Sequence, residues 1–278
     1  MSKVTEVSDE QLKAMITGNY QNVAKESTPD VPTEVIELPS KGWFYPQGHP
    51  LASGRIEMRY MTAKEEDILT SQNLIKQGVV IDKLLQALIV DKFNYSDLLV
   101  IDKNALFIAA RVLGYGKDYE VEVACPACGE KSRHTVDLTT FESKEIDFDK
   151  FTKGQNAIEF TLPASKKTLT LKFLTHGDEK AIEDELKGLK KMNALTKVDS
   201  ELTTRMKYII TAVDGNPDAV TSSFVNSMLA VDSLALRKYL KEITPDIDTT
   251  FSYVCPHCGH ENEKIQVPID VSFFWPGV

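Results

Sequence analysis

Cys125-Pro126-Ala127-Cys128-Gly129 and Cys255-Pro256-His257-Cys258-Gly259 are the two stretches whose reading decides the fold. The chain has 278 residues and four cysteines, and these two pairs use all four. Four thiolates offered two by two match a tetrahedral structural metal site, with Cys125, Cys128, Cys255 and Cys258 as ligands. The glycine after each second cysteine suits a turn that needs positive φ or a close backbone approach.

The flanks extend this reading. Asp118-Tyr119-Glu120-Val121-Glu122-Val123 alternates before the first pair, and Arg133-His134-Thr135-Val136-Asp137-Leu138 alternates after it. Phe251-Ser252-Tyr253-Val254 precedes the second pair and Lys264-Ile265-Gln266-Val267-Pro268-Ile269 follows it. Each pair therefore sits at the tip of a β-hairpin, and the two hairpins read as an imperfect repeat, the halves of a split zinc ribbon. A redox CxxC pair opens a helix, whereas strands bound these; reduced structural thiols are the plainer alternative. The pairs are separated by 126 intervening residues. Closing a loop of that length costs about 4 kcal/mol, against about 10–16 kcal/mol from a structural zinc. Zinc is the expected metal, and iron is the alternative that very similar knuckles accept. His134, His257 and His260 read as neighbours of the site rather than ligands. His49 and His176 have no partner at ligand spacing.

Composition narrows the function. With 42% apolar and 26% charged residues the chain is neither disordered throughout nor fibrous. A formal charge of -9 disfavours a long footprint on nucleic acid. The start, MSKVTEVSDEQLK, lacks the apolar core of a signal peptide, and no apolar run reaches membrane-span length; a cytoplasmic setting is expected. No P-loop, dinucleotide glycine fingerprint, HExxH or GxSxG occurs. Asp178, in Thr175-His176-Gly177-Asp178-Glu179, reads as a helix cap rather than an acid–base group. The lysines at 187, 190, 191 and 197 are accompanied by Glu179, Glu183, Asp184 and Glu185, which makes a solvated face. A non-enzyme is expected.

The fold expected is α+β, mostly helical, with four parts. Residues 1–33 form a polar arm; 34–145 a helical unit with the first half of the ribbon; 146–248 a mainly helical α/β insert; 249–278 the second half of the ribbon and an aromatic tail. A strand near 55–60 leads to Thr62-Ala63-Lys64-Glu65, a capping box, and to helices near 63–76, 81–91 and 103–114. Strands near 157–162 and 168–174 precede helices near 178–192, 200–213, 217–229 and 232–243.

Leu38-Pro39-Ser40-Lys41-Gly42, then Met61-Thr62-Ala63-Lys64-Glu65-Glu66-Asp67-Ile68-Leu69-Thr70, resembles the baseplate protein family of T-even-type contractile-tailed bacteriophages. The likeness continues through Asn73-Leu74-Ile75-Lys76, Asp82-Lys83-Leu84-Leu85 and Arg111-Val112-Leu113-Gly114-Tyr115-Gly116 to the first CPxCG, covering about 35–145. It implies a baseplate component, or a factor of baseplate-hub assembly, without catalysis. Its partners would be other tail or hub proteins, its place the host cytoplasm during assembly and the virion tail baseplate. A zinc-ribbon adaptor for nucleic acid or transcription machinery is the competing reading; Lys131 and Arg133 favour it, Glu261 and Glu263 oppose it.

Two aromatic segments are candidate contacts for those partners. Trp43, Phe44 and Tyr45 lie between prolines and are residue types that anchor interfaces; closing the chain's own core is the other use of such rings. Phe273, Phe274 and Trp275 would form a sticky patch if exposed. The tail of 271–278 is therefore expected either to pack beside the helices of 60–114 or to serve as an interface.

Overall fold

The computed structural model describes residues 31–192, 200–267 and 271–274. The arm expected over 1–33, apart from its last three residues, and Trp275 lie outside them. The chain divides after Pro32, and the fold below is that of Thr33 onward.

Strands β1 (Thr33–Glu37) and β2 (Arg55–Arg59) pair antiparallel. The loop between them folds back on itself so tightly that only glycine fits at two places. A Cβ on Gly42 would sit 2.5 Å from the Ala52 carbonyl oxygen, and one on Gly54 2.7 Å from the Lys41 carbonyl carbon. Both glycines have positive φ, which removes the alternative of another residue at low cost.

Helix α1 (Ala63–Thr70) starts where the capping signal predicts. Glu65 Oε2 accepts from the Thr62 amide at 3.0 Å and from its hydroxyl at 2.7 Å. The helix expected over 63–76 is broken at Ser71, whose backbone is extended, giving a separate α2 (Gln72–Gln77) that Gly78 ends in the left-handed conformation. Helix α3 (Val80–Leu88) buries Val80, Leu84, Leu85 and Leu88, and α4 (Val100–Tyr115) buries residues on several sides, as its apolar composition predicts.

Strands β3 (Asp118–Ala124) and β4 (Lys131–Asp137) form the first expected hairpin. The two-residue β5 (Glu142–Ser143) reaches across to β9 (Ile247–Asp248). Strands β6 (Ile158–Thr161) and β7 (Thr168–Leu171) are joined by β8 (Ile210–Val213) in a three-stranded sheet ordered β6-β7-β8. Helix α5 (His176–Met192) and α6 (Glu201–Ile209) come between β7 and β8. The helix expected over 200–213 thus stops four residues early. Ile210, Thr211 and Val213 are β-branched and stiff at χ1, and as a strand they pair with Leu169–Leu171, whose other edge is taken by β6. The helix expected over 217–229 is likewise only a 3-10 turn, Pro217–Ala219, and the short α7 (Ser222–Asn226), capped by the Thr221 hydroxyl. Helix α8 (Ala230–Ile243) leads to β10 (Thr250–Val254) and β11 (Glu261–Gln266), the second hairpin.

The result is α+β, with eight α-helices and five small antiparallel sheets among the described residues. One hydrophobic cluster runs through it, from Leu38 and Phe44 through α3 and α4 to Leu169, Leu236, Phe273 and Phe274.

Candidate metal centre and its surroundings

The two cysteine loops are built alike. In the first, the Cys125 amide donates to Glu130 O at 2.9 Å and the Gly129 amide to Cys125 O at 2.8 Å. In the second, the Cys255 amide donates to His260 O at 2.9 Å and the Gly259 amide to Cys255 O at 2.9 Å. Gly129 and Gly259 have φ of 77° and 71°, so the glycine of each motif performs the same turn.

The fold brings these loops together. Cys125 Sγ lies 3.8 Å from Cys258 Sγ, and Cys128 Sγ 3.8 Å from Cys255 Sγ. All four sulfurs fall within 4.8 Å of one another, and all four thiols are free. A tetrahedral site with metal–sulfur bonds of about 2.3 Å has sulfur–sulfur edges of about 3.8 Å, so the spacing fits zinc or iron. Cys125 and Cys255 are buried and Cys128 and Cys258 exposed, one of each per loop. Backbone amides polarise the sulfurs: those of Cys128 and Ala127 donate to Cys125 and lower its thiol to about 6. Cys128 receives the Glu130 amide, yet desolvation and the surrounding thiols push it up to about 12.

Below the sulfurs is a small apolar floor of Tyr253 with Val123, Phe251 and Ile265. Asn262 is buried there, its Nδ2 bonded to His260 O at 3.1 Å and 3.9 Å from Cys125 Sγ. The histidines are not among the gathered donors. His134 packs against Tyr253 in a tilted arrangement, 4.1 Å between ring centres, and bonds Ser132, while His257 and His260 are exposed. Lys131 and Arg133 both face Glu122, at 3.0 and 3.8 Å, so their charge is compensated within the hairpin.

The aromatic candidates are placed differently from one another. Phe44 is buried against Phe173 and Phe151, at 4.6 and 5.1 Å between ring centres. Tyr45 is buried and its hydroxyl donates to Asp102 at 2.7 Å while accepting the Leu99 amide at 3.0 Å. Trp43 is part-exposed on Phe148. Phe273 and Phe274 are fully buried against Tyr119 of β3 and Phe107 of α4, at 4.8 and 4.9 Å, so these two residues of the tail pack inward. Four of the six proposed partner anchors are therefore core rings, Trp43 is part-exposed between Phe148 and the Lys153 ammonium, and Trp275 lies outside the described residues.

Sequence reasoning missed the polar groups that hold these rings. Asp102 is fully buried and accepts from the Ser40 amide (2.9 Å), the Ser40 hydroxyl (2.8 Å) and Tyr45. Burial raises its carboxyl to about 6 against the pull of those three donors. Arg111 is also fully buried and donates only to carbonyls: Phe273 at 3.0 Å, Gly116 at 2.9 Å and Asp118 at 3.4 Å. The one sequence signal was a charge inside an apolar helix in each case.

A family model described as T4 bacteriophage base plate protein matches residues 33–275. The chain belongs to this family. The match takes in both cysteine pairs and the insert between them, well beyond the first half on which the resemblance of the sequence rests. This member of the baseplate family has, among its described residues, no helix long and apolar enough to cross a membrane. No curated protein and no solved structure matches it.

Proposed function

We propose that the chain is a non-enzymatic structural component of the phage tail baseplate, or a factor in assembly of its hub, clasped by one zinc ion on Cys125, Cys128, Cys255 and Cys258. Family membership across 33–275 supports the first half of this reading. The four-sulfur cluster carries the second: its donor set is all thiolate, and its two 3.8 Å edges have the length that tetrahedral zinc requires. When bound, zinc supplies a cross-link and no reactive position, because four protein ligands close its shell. The residues do the rest. Paired loops present two sulfurs each, backbone amides stabilise the thiolates, and Asn262 and Tyr253 seal the inner side. The clasp joins β3–β4 to β10–β11 and so fixes both ends of the insert. Mass spectrometry of purified virions and of baseplate intermediates tests the baseplate role. The chain is expected in one or both; its presence in neither refutes the role, and its presence only in intermediates makes it an assembly factor.

A further inference from the structure

Helix α8 has one face that the described residues leave uncovered. Its inner side is fixed: Leu236 and Ile243 are buried, and the Asp232 carboxylate accepts the Ala164 and Ser165 amides of the β6–β7 turn at 2.7 and 3.0 Å. At 100° per residue, positions 230, 231, 234, 237, 238, 241 and 242 share an outer arc of about 140°, and every one of them is exposed. Val231 is 55% exposed and Leu234 45%, with Leu229 at the helix start 54%. Single exposed aliphatics need no explanation, but Val231 and Leu234 lie side by side on this arc, with Leu229 exposed just before the helix begins. The same arc continues into Arg237, Lys238 and Lys241, whose side chains make no ion pair among the described residues. Glu242 is the one acid on it. Lys241 also borders a groove of about 850 Å³, with Lys144, Asp246 and Lys264 on its walls.

We propose that this arc is a docking surface for an acidic protein segment carrying apolar anchors, on a neighbouring baseplate subunit. The inference rests on the baseplate reading above. Charge complementarity selects the occupant: aliphatic side chains at one end need apolar cover, and three cations that make no ion pair among the described residues need carboxylates at the other. A second copy related by a two-fold axis fits poorly. Antiparallel pairing of the arc with itself sets Val231 and Leu234 against Lys241 and Lys238, burying cations on aliphatics without compensation. Nucleic acid would satisfy the cations and leave Val231 and Leu234 in water, and the chain's charge of -9 opposes it.

The test uses the full chain and baseplate intermediates purified from cells infected with a phage lacking it, with co-sedimentation as the readout. Val231→Ser with Leu234→Ser, and separately Arg237→Glu with Lys238→Glu, should each weaken association at least tenfold. The melting temperature should not move, because all four side chains are exposed. Val35→Ser, at an exposed site on β1, serves as the control and should bind normally. Should the serine pair fail to fold, the charge-reversed pair decides alone. Undiminished binding by a folded variant overturns the docking surface while leaving the baseplate reading intact. Loss of wild-type binding after nuclease treatment, or wild-type oligomers in sedimentation that the variants abolish, also overturns it in favour of nucleic acid or a second copy. If the wild-type chain itself does not associate, both readings fall.

Discussion

Asp102 and Arg111 show how much of this fold rests on single buried polar groups. Asp102 is charged at neutral pH at a cost, since its carboxyl is raised from 3.8 to about 6 by burial. The folded state therefore binds more protons than the unfolded one between those values. Its contribution is fully present below about pH 4 and is lost as pH rises towards 6, on the order of 3 kcal/mol in all. Asp102→Asn keeps the shape and removes this titration, so the slope of stability against pH in that window should flatten, as read by urea melts at several pH values. An unchanged slope would show that Asp102 does not titrate there. Glu65 acts in the opposite direction: held down to about 2 by its Arg59 and Thr62 partners, which outweigh its burial, it contributes fully above its ordinary value of 4.5 and loses that contribution as pH falls towards 2. Arg111→Met leaves three carbonyls unpaired and should cost about 2–4 kcal/mol. It should also free the tail, so limited proteolysis near 271–274 is expected to speed up; equal cleavage rates in both proteins would count against that anchoring role.

At the scale of elements, the cysteine hairpins were legible because their information is local: a five-residue motif, alternating flanks and a glycine at the turn. The same is true of the start of α1, written in Thr62 and Glu65. Strands β1 and β8 were not legible, for different reasons. Thr33–Glu37 is mostly exposed, so no apolar alternation marks it. Ile210–Val213 follows a helix without a stop signal, and only pairing with Thr170 and its neighbours, some 40 residues earlier, makes it a strand. The aromatic rings were read as residue types without their partners. Tyr45 meets Asp102 57 residues away and Phe273 meets Arg111 162 residues away, separations over which a single sequence carries no signal. The loop before β2 offers a test of its own. Gly42→Ala forces a side chain onto the Ala52 carbonyl at positive φ and should destabilise by more than about 2 kcal/mol, with urea unfolding as the measure. A loss below 0.5 kcal/mol would mean the loop relaxes around it.

For the whole molecule, the central claim is that one metal closes the chain on itself. Cys128 and Cys255 are adjacent in space and 127 positions apart in sequence, so such a clasp would constrain most of the C-terminal half. Removing the metal should release several kcal/mol of stabilisation, bounded above by the roughly 10–16 kcal/mol of small zinc domains. The apolar core that runs from Leu38 to Phe274 does not depend on it directly. A chelator should therefore loosen the two hairpins before the helices, and amide exchange should rise first in β3–β4 and β10–β11; uniform loss of protection would mean that the metal supports the entire fold. The most direct measurement is the metal content of the purified chain by elemental analysis, alongside a Cys128→Ser, Cys258→Ser variant. The account predicts close to one zinc or iron per wild-type chain and none in the variant, whereas a wild-type chain that is fully folded and metal-free would contradict it.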